Sequence, residues 1–154
     1  MSGYFIGKGI VEIVEGMICI PKEISKIDVR TVDLVFTVWE KENGEWDSIM
    51  IYMADSWRQR IEEQKKEEPG KTMDTFASDL LTERKVACGR TNEYGEVKLP
   101  QEIYNRLRNS GETSVVLLGS MQKKLEMIGE KKWEEELAHQ ELLMKGNMDL
   151  YKQE

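Results

Sequence analysis

The sequence predicts one α+β domain, mainly β, built from two related halves. The segment 14–24 recurs at 93–103 with Gly, Pro, Glu and Ile in the same places, and the segment 49–57 recurs at 125–133. Short runs of alternating apolar residues within both copies predict strands. An internal repeat of this length indicates that the two copies form one core together, since neither half carries enough apolar faces to close a core alone.

Each copy predicts the same order of elements. Gly16 and Gly95 lie where a tight turn requires a positive φ, and an alternating strand follows each glycine. Pro21 and Pro100 then end the strand and favour the first turn of a short helix. The predicted elements are strands at 17–20 and 96–99, short helices at 22–27 and 101–109, and apolar strands at 32–39 and 114–118.

A hairpin and a charged helix complete each half. In the first half, Asn43-Gly44 predicts a type I′ turn, because both of its central residues tolerate positive φ. Returning strands begin near Ile49 and Leu125, and charged helices begin near Trp57 and Trp133. We therefore expect a single domain over 1–154, with repeats at 1–68 and 72–140 and a C-terminal extension at 141–154.

This pattern resembles MraZ, the two-repeat member of the AbrB/SpoVT swapped-hairpin barrels. The residues that carry the resemblance lie at 95–100, 115–119, 125–128 and 133–135. The resemblance implies a two-repeat swapped-hairpin (AbrB-like) barrel with short peripheral helices and a C-terminal helix. It also implies a helix between the repeats, over 74–81.

The resemblance implies a function as well. MraZ-like proteins are transcriptional repressors that assemble into rings and contact DNA through Asp-x-x-Gly-Arg at the turn. The matching Asp positions hold Ile13 and Asn92, and the matching Arg positions hold Met17 and Glu96. Arg is the side chain best suited to guanine edges and phosphate, so this motif is degenerate in both halves.

Other basic residues flank the second turn. If the chain binds DNA, we expect the contacts to come from Arg84, Lys85, Arg90 and Lys98. The net charge of −7 and the pI near 5.0 oppose this function, because DNA-binding domains usually carry a basic surface. Two functions therefore stay open. One is a MraZ-like regulator that binds DNA as a homo-oligomer. The other is a repurposed barrel that binds a protein or small ligand, such as a phage-encoded inhibitor or sequestering protein.

Apolar residues outside the repeated strands indicate a partner. Trp46 follows the hairpin turn, where an exposed aromatic side chain is typical of an interface. Leu137 and Met144 belong to a partial apolar stripe on the C-terminal helix that suits a helical partner. These residues predict a homo-oligomer, with a ring as one possible form.

The sequence predicts no enzyme. The one histidine, His139, lies in an acidic helix, and with Cys19 and Cys88 it is too few for a four-ligand zinc site. We expect no metal and no cofactor. The chain has no apolar run of the ~20 residues that a membrane span needs, and its first residues lack the pattern of a signal peptide. The expected location is cytoplasmic.

Overall fold

The structure is a computed structural model, described here for residues 5–24, 28–67, 75–78, 80–120 and 124–152. It is a mixed α+β fold, mainly antiparallel β, as predicted. The strands are β1 (Phe5–Glu12), β2 (Met17–Cys19), β3 (Asp33–Lys41), β4 (Trp46–Met53), β5 (Thr75–Ser78), β6 (Leu81–Arg90), β7 (Glu96–Lys98), β8 (Ser114–Ser120) and β9 (Lys124–Gly129). The helices are a 3₁₀ turn (Lys22–Ile24), α1 (Ala54–Glu67), α2 (Gln101–Asn109) and α3 (Glu130–Lys152).

Seven strands form one antiparallel sheet in the order β1-β8-β9-β4-β3-β6-β5. Within the described ranges, β1 and β5 lie at its two ends and do not pair, so the sheet is open and is not closed into a barrel. The remaining strands, β2 and β7, form a separate two-stranded ladder that we call the ribbon. The ribbon strands are not hydrogen-bonded to strands of the seven-stranded sheet, so the ribbon does not close that sheet into a barrel.

The strands pair across the two halves of the chain. β1 of the first half pairs with β8 of the second half. In the same way, β6, the counterpart of β1, pairs with β3, the counterpart of β8. Strands β2 and β7 pair with each other, as do β4 and β9, and each of these pairs joins a strand to its own counterpart. The β3–β4 and β8–β9 pairs are hairpins within one half, as is the edge pair β5–β6.

The registers of the two self-paired ladders have the same symmetry. In the ribbon, Ile18 lies opposite Val97, its counterpart in the repeat. In the sheet, Met50 lies opposite Glu126, again its counterpart. Exchanging the two halves therefore leaves the pairing in both ladders unchanged. The halves are related by an approximate two-fold symmetry that passes through the β2–β7 and β4–β9 ladders.

The main core lies between one face of the sheet and the elements that cover it. The ribbon supplies Ile18 and Val97, and α2 supplies Ile103 and Leu107, all of which are buried. From the sheet the core takes alternate residues of β3, β4, β8 and β9, including Phe36, which is fully buried. Burial of this apolar surface is the principal stabilising contribution to the fold.

The opposite face of the sheet carries a second, smaller apolar cluster under α1. Trp57 of α1 packs there with Val35, Met50 and Tyr52. The ring centroids of Trp57 and Tyr52 are 5.1 Å apart, within the range of favourable aromatic pairs. The sheet is therefore apolar on both faces where helices cover it.

Among the local predictions for turns and helices that the described residues test, two are wrong. Helix α2 spans the predicted residues and follows Pro100, while the short helix of the first half is a 3₁₀ turn whose predicted last residues, 25–27, lie outside the described residues. The helix expected at 74–81 is wrong, because Thr75–Ser78 is strand β5, paired with β6. Phe76 on β5 packs its ring 5.3 Å from that of Trp57, so a tertiary contact favours the strand. The predicted repeat boundary at 68–72 lies outside the described residues.

The type I′ turn predicted at Asn43-Gly44 is also wrong. Lys41 N donates to Glu45 O at 2.8 Å, which leaves a three-residue loop in which Gly44 alone has a positive φ. Three-residue hairpin loops need one left-handed residue rather than two, and Gly44 provides it. The register shift between Trp39 and Glu40 accompanies this longer loop.

Candidate interaction surface at the two turns

The first turn is a two-residue hairpin between β1 and β2. Val14 and Met17 exchange both backbone hydrogen bonds, each at 2.9 Å. The central residues Glu15 and Gly16 have φ of 52° and 76°, which is the type I′ geometry. A left-handed glutamate costs about 1 kcal/mol, so the sequence holds Glu15 at the tip of the turn against its backbone preference.

The second turn, between β6 and β7, has one residue more. Asn92 N donates to Glu96 O at 3.0 Å, and Gly95 adopts the left-handed conformation with φ of 80°. The Asn92 side chain closes the loop, because its Oδ1 accepts from the amides of Tyr94 and Glu96 at 2.9 and 3.0 Å. Its Nδ2 donates to Glu96 Oε1, so the side chains of Asn92 and Glu96 are also bonded to each other.

The difference in loop length changes how the degenerate motif aligns. Ile13 N donates to Thr113 O, just before β8, and Thr91 N donates to Val32 O, just before β3. These two bonds are equivalent, so Ile13 corresponds to Thr91. The sequence comparison matched Ile13 with Asn92, so that match is wrong by one residue.

The ribbon connects the two turns and has a buried and an outward face. Ile18 and Val97 point into the core and are each 1 % exposed. The neighbouring residues point outward because side chains alternate along a strand. Met17 lies opposite Lys98 and Cys19 lies opposite Glu96.

The turn glycines tie each turn to the opposite strand of the ribbon. Gly16 O accepts from Leu99 N at 2.9 Å, and Gly95 O accepts from Ile20 N at 3.0 Å. The two turns therefore lie at opposite ends of the ribbon.

Apolar side chains are exposed along this outward face. Val14 is 59 % and Tyr94 69 % exposed. Val14 lies on the same side of its hairpin as Met17 because directly paired residues share a face, and Tyr94 O accepts from Cys19 Sγ at 3.4 Å. We call this region the two-turn surface; its members are Val14, Glu15, Met17, Cys19, Glu93, Tyr94, Glu96 and Lys98.

Two of the four predicted DNA-contacting residues are held in ion pairs. The Arg84 guanidinium bonds to Glu102 of α2 at 2.7 Å and also to Glu40 of β3. These hydrogen bonds, first to Glu102 and then to Glu40, raise the pKa of Arg84. Arg90 bonds to Asp33 at 2.9 Å. Each arginine therefore has at least one carboxylate beside it that offsets its positive charge.

The other two predicted contacts are exposed lysines. Lys85 lies on β6, and Lys98 lies on the outward face of the ribbon. Lys98 shares the two-turn surface with Glu15, Glu93 and Glu96, so that surface is acidic overall. The basic surface expected around the second turn is therefore reduced to these two side chains, and their contact with DNA stays a prediction.

The predicted interface residues have different surroundings. Trp46 is half-buried rather than exposed, because Arg106 stacks 4.4 Å from its ring centroid and its Nε1 donates to Glu40 Oε2 at 3.1 Å. Leu137 on α3 is 38 % exposed. The side chain of Met144 lies outside the described residues.

A cleft of about 440 Å³ lies beside Trp46. Trp46, Leu107 and Met127 contribute apolar lining, and Arg106, Lys131 and Glu135 are among its charged lining residues. Its size is within the range of small-molecule sites. The opposite charges on its rim do not select one ligand class.

Sequence reasoning missed a buried polar network beneath α1. The Glu83 carboxylate is fully buried; its Oε2 accepts from Thr37 Oγ1 and Tyr52 Oη, each at 2.7 Å, and its Oε1 lies 2.8 Å from Arg60 Nη2. The ring of Phe76 lies 4.1 Å from the Arg60 guanidinium. Burial, together with the charge of Glu83, raises the pKa of Tyr52. An isolated glutamate in a polar strand gives no signal of this network in the sequence.

Comparisons of the chain with protein-family models, with curated proteins and with solved structures each found no match. Within the described ranges, no cluster of three or more His, Cys, Asp or Glu side chains could hold a metal ion. No helix in the described part of the chain has the length and apolar character to cross a membrane.

Proposed function

We propose that this chain is a MraZ-like regulatory protein with a swapped-hairpin arrangement, and that it acts by binding a protein through the two-turn surface. The crossed pairing of β1 with β8 and of β3 with β6 carries the proposal. In such pairing each half completes the sheet of the other. The ribbon carries a turn at each of its ends. In MraZ-like proteins, these turns are the part of the fold that contacts the ligand.

The chemistry of the two-turn surface favours protein over DNA. Arg84 and Arg90 are occupied by carboxylates, and Met17 and Glu96 stand where the resemblance would have arginine. Glu96 repels phosphate, and Met17 cannot donate a hydrogen bond to a base edge. The exposed Tyr94 and the half-buried Met17 are instead of residue types that are enriched at protein interfaces.

A DNA-binding titration tests this proposal. We expect the unmodified chain to bind a labelled duplex weakly or not at all, and the double variant Met17→Arg/Glu96→Arg to bind it more tightly, since two guanidinium groups replace an apolar group and an anion. The control is Leu80→Arg/Glu63→Arg, which changes two exposed residues outside both proposed interfaces and changes the net charge equally. Tight, salt-resistant, sequence-specific binding by the unmodified chain would contradict the proposal.

Direct DNA binding is the second candidate, because Lys85 and Lys98 are exposed. With only these phosphate contacts, affinity would be low and would fall steeply between about 50 and 200 mM salt. Changing each lysine to alanine would then lower the slope of log K against log salt by about one and leave sequence preference unchanged. An unaltered slope in both variants would exclude these lysines as the DNA contacts.

We also propose that the chain forms a homo-oligomer through α3. Along 131–142, every side chain except Trp133 is exposed, including those of Leu137 and Leu142. A heterologous contact that closes gives a ring. Light scattering at micromolar concentration tests this, with Leu137→Ser/Leu142→Ser expected to lower the measured mass. A monomeric unmodified chain would contradict it.

A further inference from the structure

We infer that the partner of the two-turn surface is a basic polypeptide segment that also carries apolar side chains. This inference rests on the protein-binding function proposed above and specifies the chemistry of the partner. It follows from two properties of the surface: an exposed apolar strip and an acidic border.

The apolar strip runs along the β2 side of the ribbon. Val14, Met17 and Cys19 follow one another along the hairpin on its outward side, and Tyr94 stands at the far end beside Cys19. Val14 and Tyr94 each expose well over half of their side-chain surface. An extended segment laid along the ribbon would cover all four side chains and bury apolar area on both partners.

The acidic border lies at both ends and on the β7 side. Glu15 is at the tip of the first turn, Glu93 is in the second, and Glu96 lies on the ribbon next to Lys98. Three carboxylates therefore face one ammonium group on this surface.

Two arginines close to the second turn do not offset this excess. Arg90 is paired with Asp33 and Arg30 with Asp28, each at 2.9 Å. The loop that holds Arg30 joins the second turn through the bond from Thr31 N to Asn92 O. The two-turn surface therefore keeps an excess of negative charge, since no described ion pair neutralises Glu15, Glu93 or Glu96, and charge complementarity selects a basic partner.

The same charges disfavour two other occupants. A second copy of this chain would present the same acidic border, and like charges brought together across an interface are unfavourable. Nucleic acid would bring phosphates against Glu15, Glu93 and Glu96. A segment in which lysine or arginine alternates with leucine or tryptophan could place its apolar side chains on the apolar strip and its cations beside the glutamates of the acidic border.

Fluorescence anisotropy with two labelled peptides tests the inference. One peptide alternates lysine and leucine around a single tryptophan, and the other has glutamate in place of every lysine. We expect the full-length chain to bind only the basic peptide. Val14→Ser/Tyr94→Ser should weaken that binding about tenfold, whereas Leu80→Ser, which removes an exposed apolar side chain outside this surface, should change it less than twofold.

Charge reversal supplies the second arm. Glu15→Lys/Glu93→Lys should abolish binding of the basic peptide. The matched control is Glu62→Lys/Glu67→Lys on α1, which makes the same change in net charge away from the surface and should keep binding within about threefold. Equal loss in both variants would mean non-specific attraction and would overturn the inference. Equal binding of the acidic peptide would do the same.

Failure of the inference can be distinguished from failure of the proposed function. If neither peptide binds, and Met17→Arg/Glu96→Arg still gains DNA binding over its control, the partner chemistry is wrong and the regulatory scaffold stands. If duplex DNA binds the unmodified chain tightly and displaces the basic peptide, the two-turn surface is a DNA contact. In that case both proposals fail.

Discussion

Glu112 caps helix α3 from outside the helix. Its carboxylate accepts from Lys131 N at 2.9 Å and from Lys132 N at 3.2 Å. These amides are among the first four of the helix, which have no partner within it. The negative charge also interacts favourably with the helix dipole at this end. Glu112 precedes β8, so the β8–β9 hairpin separates the cap from the helix that it stabilises.

The cap requires a glycine at position 129. A Cβ added at Gly129 would lie 1.9 Å from Glu112 Oε2, so Gly129→Ala must displace the carboxylate. We expect Gly129→Ala to lower the free energy of unfolding by about 1 to 3 kcal/mol through loss of the cap and local strain.

A double-mutant cycle by urea denaturation measures this coupling. In Glu112→Ala/Gly129→Ala the carboxylate is already absent, so the second change should add little. Additive costs for the two changes would contradict the assignment of Glu112 as the group that excludes a side chain at 129.

Glu126 makes stability depend on pH. Its burial, together with the nearby charges of Glu136 and Asp47, raises its pKa above the ordinary value of 4.5. The stabilising contribution of the protonated form is fully present below 4.5 and is lost as pH rises through the higher folded-state pKa.

Glu126→Gln removes that ionisation. We expect the variant to be more stable than the unmodified chain at pH 7, by about 0.5 kcal/mol once solvent screening is allowed for, and equally stable below pH 4.5. Thermal unfolding at several pH values measures it, with exposed Glu134→Gln as the control. A gain that persists at low pH would point to a cause other than ionisation.

At the scale of elements, local sequence signals were sufficient where the structure is decided locally. Helix α2 begins after Pro100 as predicted, and Gly16 and Gly95 have the positive φ expected of them. Failures came where a distant contact decides. The β5 segment is a strand because β6 pairs with it, and Trp46 is half-buried because Arg106 stacks on it.

The candidate surface shows the same limit. The sequence marks Arg84 and Arg90 as basic residues near a turn, but their partners Glu40, Glu102 and Asp33 come from other elements. Nothing in a linear pattern shows that these charges are paired. The positions of the two turns could be predicted from the sequence, but the net charge of the surface around them could not.

The ion pair between Arg60 of α1 and Glu83 of β6 anchors the helix to the sheet, and its contribution to stability can be measured. Arg60→Met would leave the Glu83 carboxylate buried without its cation, at a cost of about 2 to 4 kcal/mol. Arg60→Met/Glu83→Gln removes both charges and should be more stable than the single variant, since Thr37 and Tyr52 can still bond to the amide.

Chemical denaturation of both variants decides this. The Arg58→Met variant, whose exposed guanidinium pairs with Asp55 on the same helix, is the control and should stay within about 0.5 kcal/mol of the unmodified chain. A double variant that is less stable than Arg60→Met would contradict this expectation, because the carboxylate would then stabilise the fold even without its cation.

For the whole molecule, the crossed pairing predicts that neither half is stable alone. A fragment of residues 1–70 would lose β8 from the edge of β1, β6 from β3 and β9 from β4. It would also lose Val97 and Ile103 from the core. We expect it to be unfolded or aggregated, and co-expression with residues 71–154 to restore a cooperative thermal transition. A fragment 1–70 that melts cooperatively as a monomer would contradict this.

The same pairing sets a time limit on biosynthesis. Lys8 lies opposite Leu118, so the partner of β1 is made about 110 residues later. At about 5 to 20 residues per second, β1 leaves the ribosome roughly 5 to 20 s before β8 does. During that interval the nascent chain carries an unpaired apolar strand, so its yield in a cell depends on translation rate and chaperone supply as well as on the stability of the finished fold.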